Sequence, residues 1–99
     1  MKALNCSMEP LKCVLNCGQL HTRAELHHAL RELLPLPSHY GENFDALYDC
    51  LTELSYPIQL EVRNLSQSSL GRVAEVLRRV LQDASRSNSK LSVSFTEIS

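Results

Sequence analysis

Ile58-Gln59-Leu60-Glu61-Val62-Arg63 alternates apolar and polar side chains, the period of a half-buried β-strand. Reading outward from it decides the fold. Upstream, Tyr56-Pro57 closes a helical stretch, because proline disfavours helical backbone at the residue before it. That stretch begins at 41–43 and runs to about Leu54. Before it, Pro35 and Pro37 form a rigid connection after an earlier helix, in which Leu26, Ala29, Leu30, Leu33 and Leu34 make an apolar stripe and Thr22 with Glu25 gives a capping-box signal. Gly18 permits a turn, and Leu11, Cys13 and Leu15 alternate with Lys12, Val14 and Asn16 as a first strand. Val14 predicts that the second side of this strand is partly covered too. Downstream, the polar stretch 64–71 has room for a short helical turn. Val73, Val76, Leu77, Val80, Leu81 and Ala84 then recur at helical spacing, with Arg72, Arg78, Arg79 and Arg86 on the wet side. Residues 85–89 read as a polar loop, and Leu91, Val93 and Phe95 alternate with serines and Thr96 as a third strand.

The order strand, helices, strand, helices, strand leaves two connections long enough to cross over and pair strands in parallel. The expectation is an α/β fold, a three-stranded parallel sheet covered by helices. The 99 residues suit one small domain, with 1–10 as an irregular lead-in and 11–99 as the domain. A hydrophobic content of 43% and a charged content of 21% are ordinary for a globular protein. The start MKALNCSMEPLK has no apolar run of the kind a secretory signal needs, and no segment approaches the roughly 18 apolar residues of a membrane span. Cytoplasmic residence is therefore expected, with Cys6, Cys13, Cys17 and Cys50 reduced.

Charge is polarised along the chain. Between Arg31 and Arg63 lie six carboxylates (Glu32, Glu42, Asp45, Asp49, Glu53, Glu61) and no lysine or arginine, a stretch at −6 inside a chain at −1, so the remainder carries +5. At about 100° per residue, Asp45, Asp49 and Glu53 fall within an arc of about 80° on one side of the helix, opposite Phe44, Leu47, Leu51 and Leu54. Like charges one turn apart each cost on the order of 0.2–0.5 kcal/mol, and acids in the last turn oppose the helix dipole. A solvated face that happens to be acidic is the simplest account; the missing cations instead favour a binding surface for a basic partner. An acidic middle argues against nucleic-acid binding, which requires a basic stripe.

The signs of catalysis are weak. Cys13, Cys17 and His21 follow no common zinc spacing, and His27 and His28, being adjacent, diverge by about 100° on a helix. No metal or cofactor is expected. Cys50 lies beside the apolar side of the acidic helix, as a small core residue does. Asp45 and Asp49 could act as an acid and base only inside a cleft, which a convex helix does not provide. On an open ridge the same pair is suited to enter the phosphate-binding cleft of another protein, so no enzyme activity is expected.

The run Leu36-Pro37-Ser38-His39-Tyr40-Gly41-Glu42-Asn43-Phe44-Asp45-Ala46-Leu47-Tyr48-Asp49-Cys50-Leu51-Thr52, followed by Tyr56-Pro57 and an alternating strand, closely resembles the barstar family, intracellular inhibitors of a secreted bacterial ribonuclease. By the order of its elements the resemblance extends over residues 11–98. It implies a cytoplasmic ribonuclease inhibitor or immunity protein of a toxin–antitoxin kind, a monomer when unbound, whose partner is a basic ribonuclease or ribonuclease toxin domain. In that family the helix and the loop before it plug the enzyme's active site, an aspartate mimicking RNA phosphate. Carried over by position, that aspartate is Asp49, with Asp45 reaching other groups in the cleft, Gly41, Asn43 and Thr52 adding contacts, and Glu53 extending the ridge. The family's loop tyrosine falls at His39, its two tryptophans at Tyr48 and Leu54, and a further acid on the late helix aligns loosely with Asp83. These departures keep the electrostatic centre and alter the aromatic rim, so the ribonuclease recognised can differ. The alternative is a barstar-like adaptor whose ridge binds another basic protein.

Overall fold

A computed structural model describes residues 10–38 and 40–97. Three parallel strands, β1 (Leu11–Asn16), β2 (Ile58–Arg63) and β3 (Leu91–Thr96), lie in the order β1-β2-β3. Helices α1 (Arg23–Leu33) and α2 (Phe44–Thr52) occupy the first crossover and α3 (Arg72–Ser87) the second. The three-stranded parallel sheet of the α/β fold read from the alternation is present, each strand with the bounds its pattern gave. Of the expected lead-in only Pro10 is among the described residues; the rest of it, Cys6 included, lies outside them.

The register explains where the core sits. Cys13 pairs across to Leu60 and Leu60 to Val93, while Leu15, Val62 and Phe95 form the next row, so one face of the sheet is apolar throughout. Leu26 and Leu30 of α1, Leu47 and Leu51 of α2, and Leu77, Leu81 and Ala84 of α3 are buried with that face in one cluster. Arg78 lays its guanidinium 4.5 Å from the centre of the Phe95 ring and so covers the half-buried end of β3.

The other face corrects the expectation drawn from Val14. Among the described residues no helix covers it, and Val14 is 44% exposed among Lys12, Gln59, Ser92 and Ser94. Parallel sheets are commonly covered on both faces; here the alternation of polar residues lets one face meet water. Glu61 and Arg63, two apart on that face, pair at 2.8 Å.

The bounds of two helices also differ from the sequence reading. The acidic helix is shorter at both ends than 41–54. Asn43 keeps extended backbone and its side-chain oxygen accepts the Ala46 N–H at 2.8 Å, so helical geometry starts at Phe44. At the other end Asn88 donates to the carbonyls of Leu51, Thr52 and Leu54, and the chain turns away there. Residues 64–71 form successive turns, the Gln67 and Ser68 N–H groups donating to the Asn64 and Leu65 carbonyls as in a short helical turn, anchored by buried Leu65 and Leu70. Finally α3 runs through Ser87, into what reads as a polar loop. Ser85 donates to the Gln82 carbonyl, Arg86 pairs with Asp83 at 3.4 Å, and Ser87 meets the Tyr48 hydroxyl, so each polar residue finds a partner with the helix continued.

Candidate functional site

Helix α2 is amphipathic in the sense its spacing predicts. Leu47 and Leu51 are 0% exposed, Phe44 is half-buried, and Asp45, Asp49 and Glu53 stand exposed on the opposite side. Successive ridge acids are one turn apart, about 5–6 Å between side-chain bases.

Ion pairing divides the acidic stretch in two. Glu32 lies 3.5 Å from His28, Glu42 3.2 Å from Arg31 and Glu61 2.8 Å from Arg63. Among the described residues, no salt bridge involves Asp45, Asp49 or Glu53. The fold thus gives Glu42 and Glu61 guanidinium partners and leaves α2 as a row of acceptors with unspent charge, a surface suited to arginine and lysine donors.

The remaining candidates take different stations. Asn43 caps the ridge helix and its amide nitrogen donates to the Gly41 carbonyl at 3.3 Å. A side chain on Gly41 would meet that nitrogen at 3.1 Å, so this turn favours glycine. Thr52 spends its hydroxyl on the Asp49 carbonyl at 3.0 Å. Tyr48 and Leu54 are half-buried against the core, and the Tyr48 hydroxyl lies 3.0 Å from Ser87 on α3. Asp83 sits on α3 one turn before Ser87, brought to the helix that packs on α2, but pairs with Arg86. His39 lies outside the described residues.

The cysteines and histidines show no assembled chemistry. Among the described residues no group of three or more His, Cys, Asp or Glu side chains could hold a metal ion. Cys13 and Cys17 are buried, Cys13 donating to the Leu33 carbonyl at 3.6 Å, while His21 is exposed beside Glu25. Burial pushes the Cys17 thiol up to about 11. Cys50 is raised as well, by burial first and then by Glu53 and Asp49, which disfavours the thiolate a nucleophile needs.

Sequence reasoning missed the residues beneath the ridge. His27 is 1% exposed, its Nδ1 2.5 Å from the Tyr40 hydroxyl and its ring 4.9 Å from that of Phe44, the first residue of α2. Burial pushes the Tyr40 hydroxyl up to about 12, so it stays protonated and able to donate. The helical spacing of His27 with Leu26 and Leu30 was the available signal, since it places His27 at the edge of the apolar stripe. Nothing in the sequence marked Asn88.

A parallel three-stranded sheet with helices on one face, presenting an acidic helix capped by Asn43, defines a small α/β domain with an exposed anionic face. The chain belongs to the barstar family, described as barstar (barnase inhibitor), whose match spans residues 11–97. It is also similar to the Bacillus subtilis (strain 168) protein named "Putative ribonuclease inhibitor YrdF", 40% identical over 62 residues, which covers 60% of this chain and 68% of that protein. No helix among the described residues is long and apolar enough to cross a membrane.

Proposed function

We propose that this protein inhibits a basic ribonuclease by seating α2 and the loop before it in the enzyme's active site. Asp49 occupies the place of an RNA phosphate, Asp45 meets further cations of the cleft, and Gly41, Asn43, Thr52 and Glu53 complete the contact. The single observation that carries this reading is that Asp45, Asp49 and Glu53 project from one helix face with no salt bridge among the described residues. No chemistry by the inhibitor is involved; occlusion is enough. The family match and the name of the similar Bacillus protein support the same role.

In this reading the protein is a cytoplasmic monomer until it meets its ribonuclease, the cell's own enzyme or a toxin domain. Tyr48 and Leu54 contribute the aromatic and apolar rim, His39 stands opposite the catalytic group, and Asp83 gives a peripheral contact. The test is titration of purified barnase with the protein. Stoichiometric loss of RNA cleavage, weakened by added salt because exposed charges steer the encounter, is expected. Equal inhibition by a variant carrying both Asp45→Ala and Asp49→Ala would remove the ridge from the mechanism. Should pull-down recover only a basic protein without nuclease activity, the domain is an adaptor instead.

A further inference from the structure

The loop joining α1 to α2 carries a backbone conformation that needs an explanation. Glu42 has φ +55°, the left-handed region that residues with a side chain seldom adopt, and it directly precedes the cap of the ridge helix. Strain of this kind persists only where the surroundings over-determine it.

Those surroundings come from one face of α1, where His27 and Arg31 are a turn apart. The Arg31 guanidinium donates to the Tyr40 carbonyl at 2.9 Å and lies 3.2 Å from the Glu42 carboxylate. Its carbon is also 5.7 Å from the centre of the Tyr40 ring. Tyr40 is buried and held at its far end by His27, while its own N–H donates to the Pro37 carbonyl at 3.0 Å. One guanidinium therefore bridges the residues on either side of Gly41 and ties the strained residue, Glu42, to α1.

We infer that Arg31 is a positioning residue: by bridging the Tyr40 carbonyl and the Glu42 carboxylate it holds Glu42 left-handed, and so sets where Asn43 starts α2 and where Asp45 and Asp49 point. The Glu42 carboxylate, though exposed, is accordingly engaged within the chain by Arg31. The consequence for inhibition rests on the function proposed above; the consequence for the loop does not. A preformed loop lowers the ordering cost of docking, so loss of the strut acts on affinity without removing any contact to the enzyme.

The experiment uses Arg31→Met, which keeps the stem against Tyr40 and removes the guanidinium, alone and combined with Glu42→Gly. Glycine adopts a positive φ at no steric cost, so the strut becomes dispensable in its presence. With barnase as the probe, Arg31→Met is expected to weaken inhibition on the order of tenfold, and by less than about threefold in the Glu42→Gly background. An equal loss in both backgrounds would overturn the inference. In parallel, NMR of the free protein reads the Glu42 amide–α-proton coupling and chemical shifts. Wild type should show the left-handed signature and Arg31→Met should lose it; an unchanged signature overturns the inference whatever barnase does. Absence of barnase inhibition by the wild-type protein, with the NMR change present, supports the inference for the loop and counts against barnase as the target. Retention of the urea midpoint shows that the variant is folded, and Arg31→Lys, which keeps the charge but not the fork, gives a second variant expected to show a partial loss in both readouts.

Discussion

The side-chain amide of Asn88 lies 3.0 Å from the carbonyl of Leu51, joining the residue that ends α3 to the last turn of α2. The same nitrogen reaches the Thr52 and Leu54 carbonyls at 3.3 and 3.2 Å. Helix ends leave carbonyls without intrahelical partners, and here a distant side chain supplies the donor. Asn88→Ala should therefore destabilise the fold by about 1–3 kcal/mol, the cost of leaving part-buried acceptors unpaired. Urea unfolding checks the magnitude, and amide exchange should quicken in the last turn of α2 before it does so in the strands.

Acid should loosen this protein at a pH set by His27. Burial first, and the nearby Arg23 second, hold its pKa below the ordinary 6.5, against the opposite pull of Glu42. Tyr40 and Phe44 complete its surroundings. The folded state therefore binds this proton less readily than the unfolded chain does. Stability from His27 is fully present above about pH 6.5 and falls as the pH drops below it toward the folded value, at no more than about 1.4 kcal/mol per pH unit. Urea midpoints at pH 7.5, 6.5 and 5.5 read the slope, and His27→Gln should flatten it over that range. Glu25, lowered by the backbone N–H groups of His21 and Thr22, acts only in the more acidic carboxylate range.

The ridge should show opposite signs in binding and in folding. Asp49→Ala is expected to weaken ribonuclease binding by about 2–5 kcal/mol, the range for truncating one partner of a buried charge pair. The free protein should become more stable, by about 0.5–1 kcal/mol, because the like-charge neighbours Asp45 and Asp49, and Asp49 and Glu53, are relieved and alanine favours helix. Calorimetry of binding together with thermal unfolding of the free variant measures both. A ridge retained for folding would lose stability instead.

The two faces of the sheet should respond differently to substitution. Leu15 is 3% exposed on the covered face and Val14 44% exposed on the open one. Leu15→Ala should cost about 2–5 kcal/mol. Val14→Thr should stay within about 0.5 kcal/mol, as surface changes do. Chemical unfolding of the two variants side by side tests the one-sided cover directly.

Much of the architecture was legible because its signals are local. Period-2 alternation marked the three strands at their observed bounds, and Thr22 with Glu25 formed the capping box their spacing announces. The ridge followed from helical angles alone. What could not be read were termini and partners supplied from far along the chain. The polar run 85–89 gave no sign that Ser87 would meet Tyr48 or that Asn88 would close α2, since those contacts span 39 and 37 residues. Val14 misled for a related reason, because a β-branched residue suits a strand whether or not anything covers it.

By itself, the sequence determined the elements, their parallel order and the placing of three acids on one side of a helix, since backbone geometry converts spacing into direction without reference to the rest of the molecule. Only the tertiary structure decided which acids remain available. Strand alternation alone sets Arg63 beside Glu61, but other pairing depends on which cations folding brings within a few ångströms, and it sends Arg31 to Glu42 while leaving Asp45 and Asp49 facing solvent. It also decided that α1 fastens the loop ahead of the ridge, a contact between segments whose proximity no local pattern encodes.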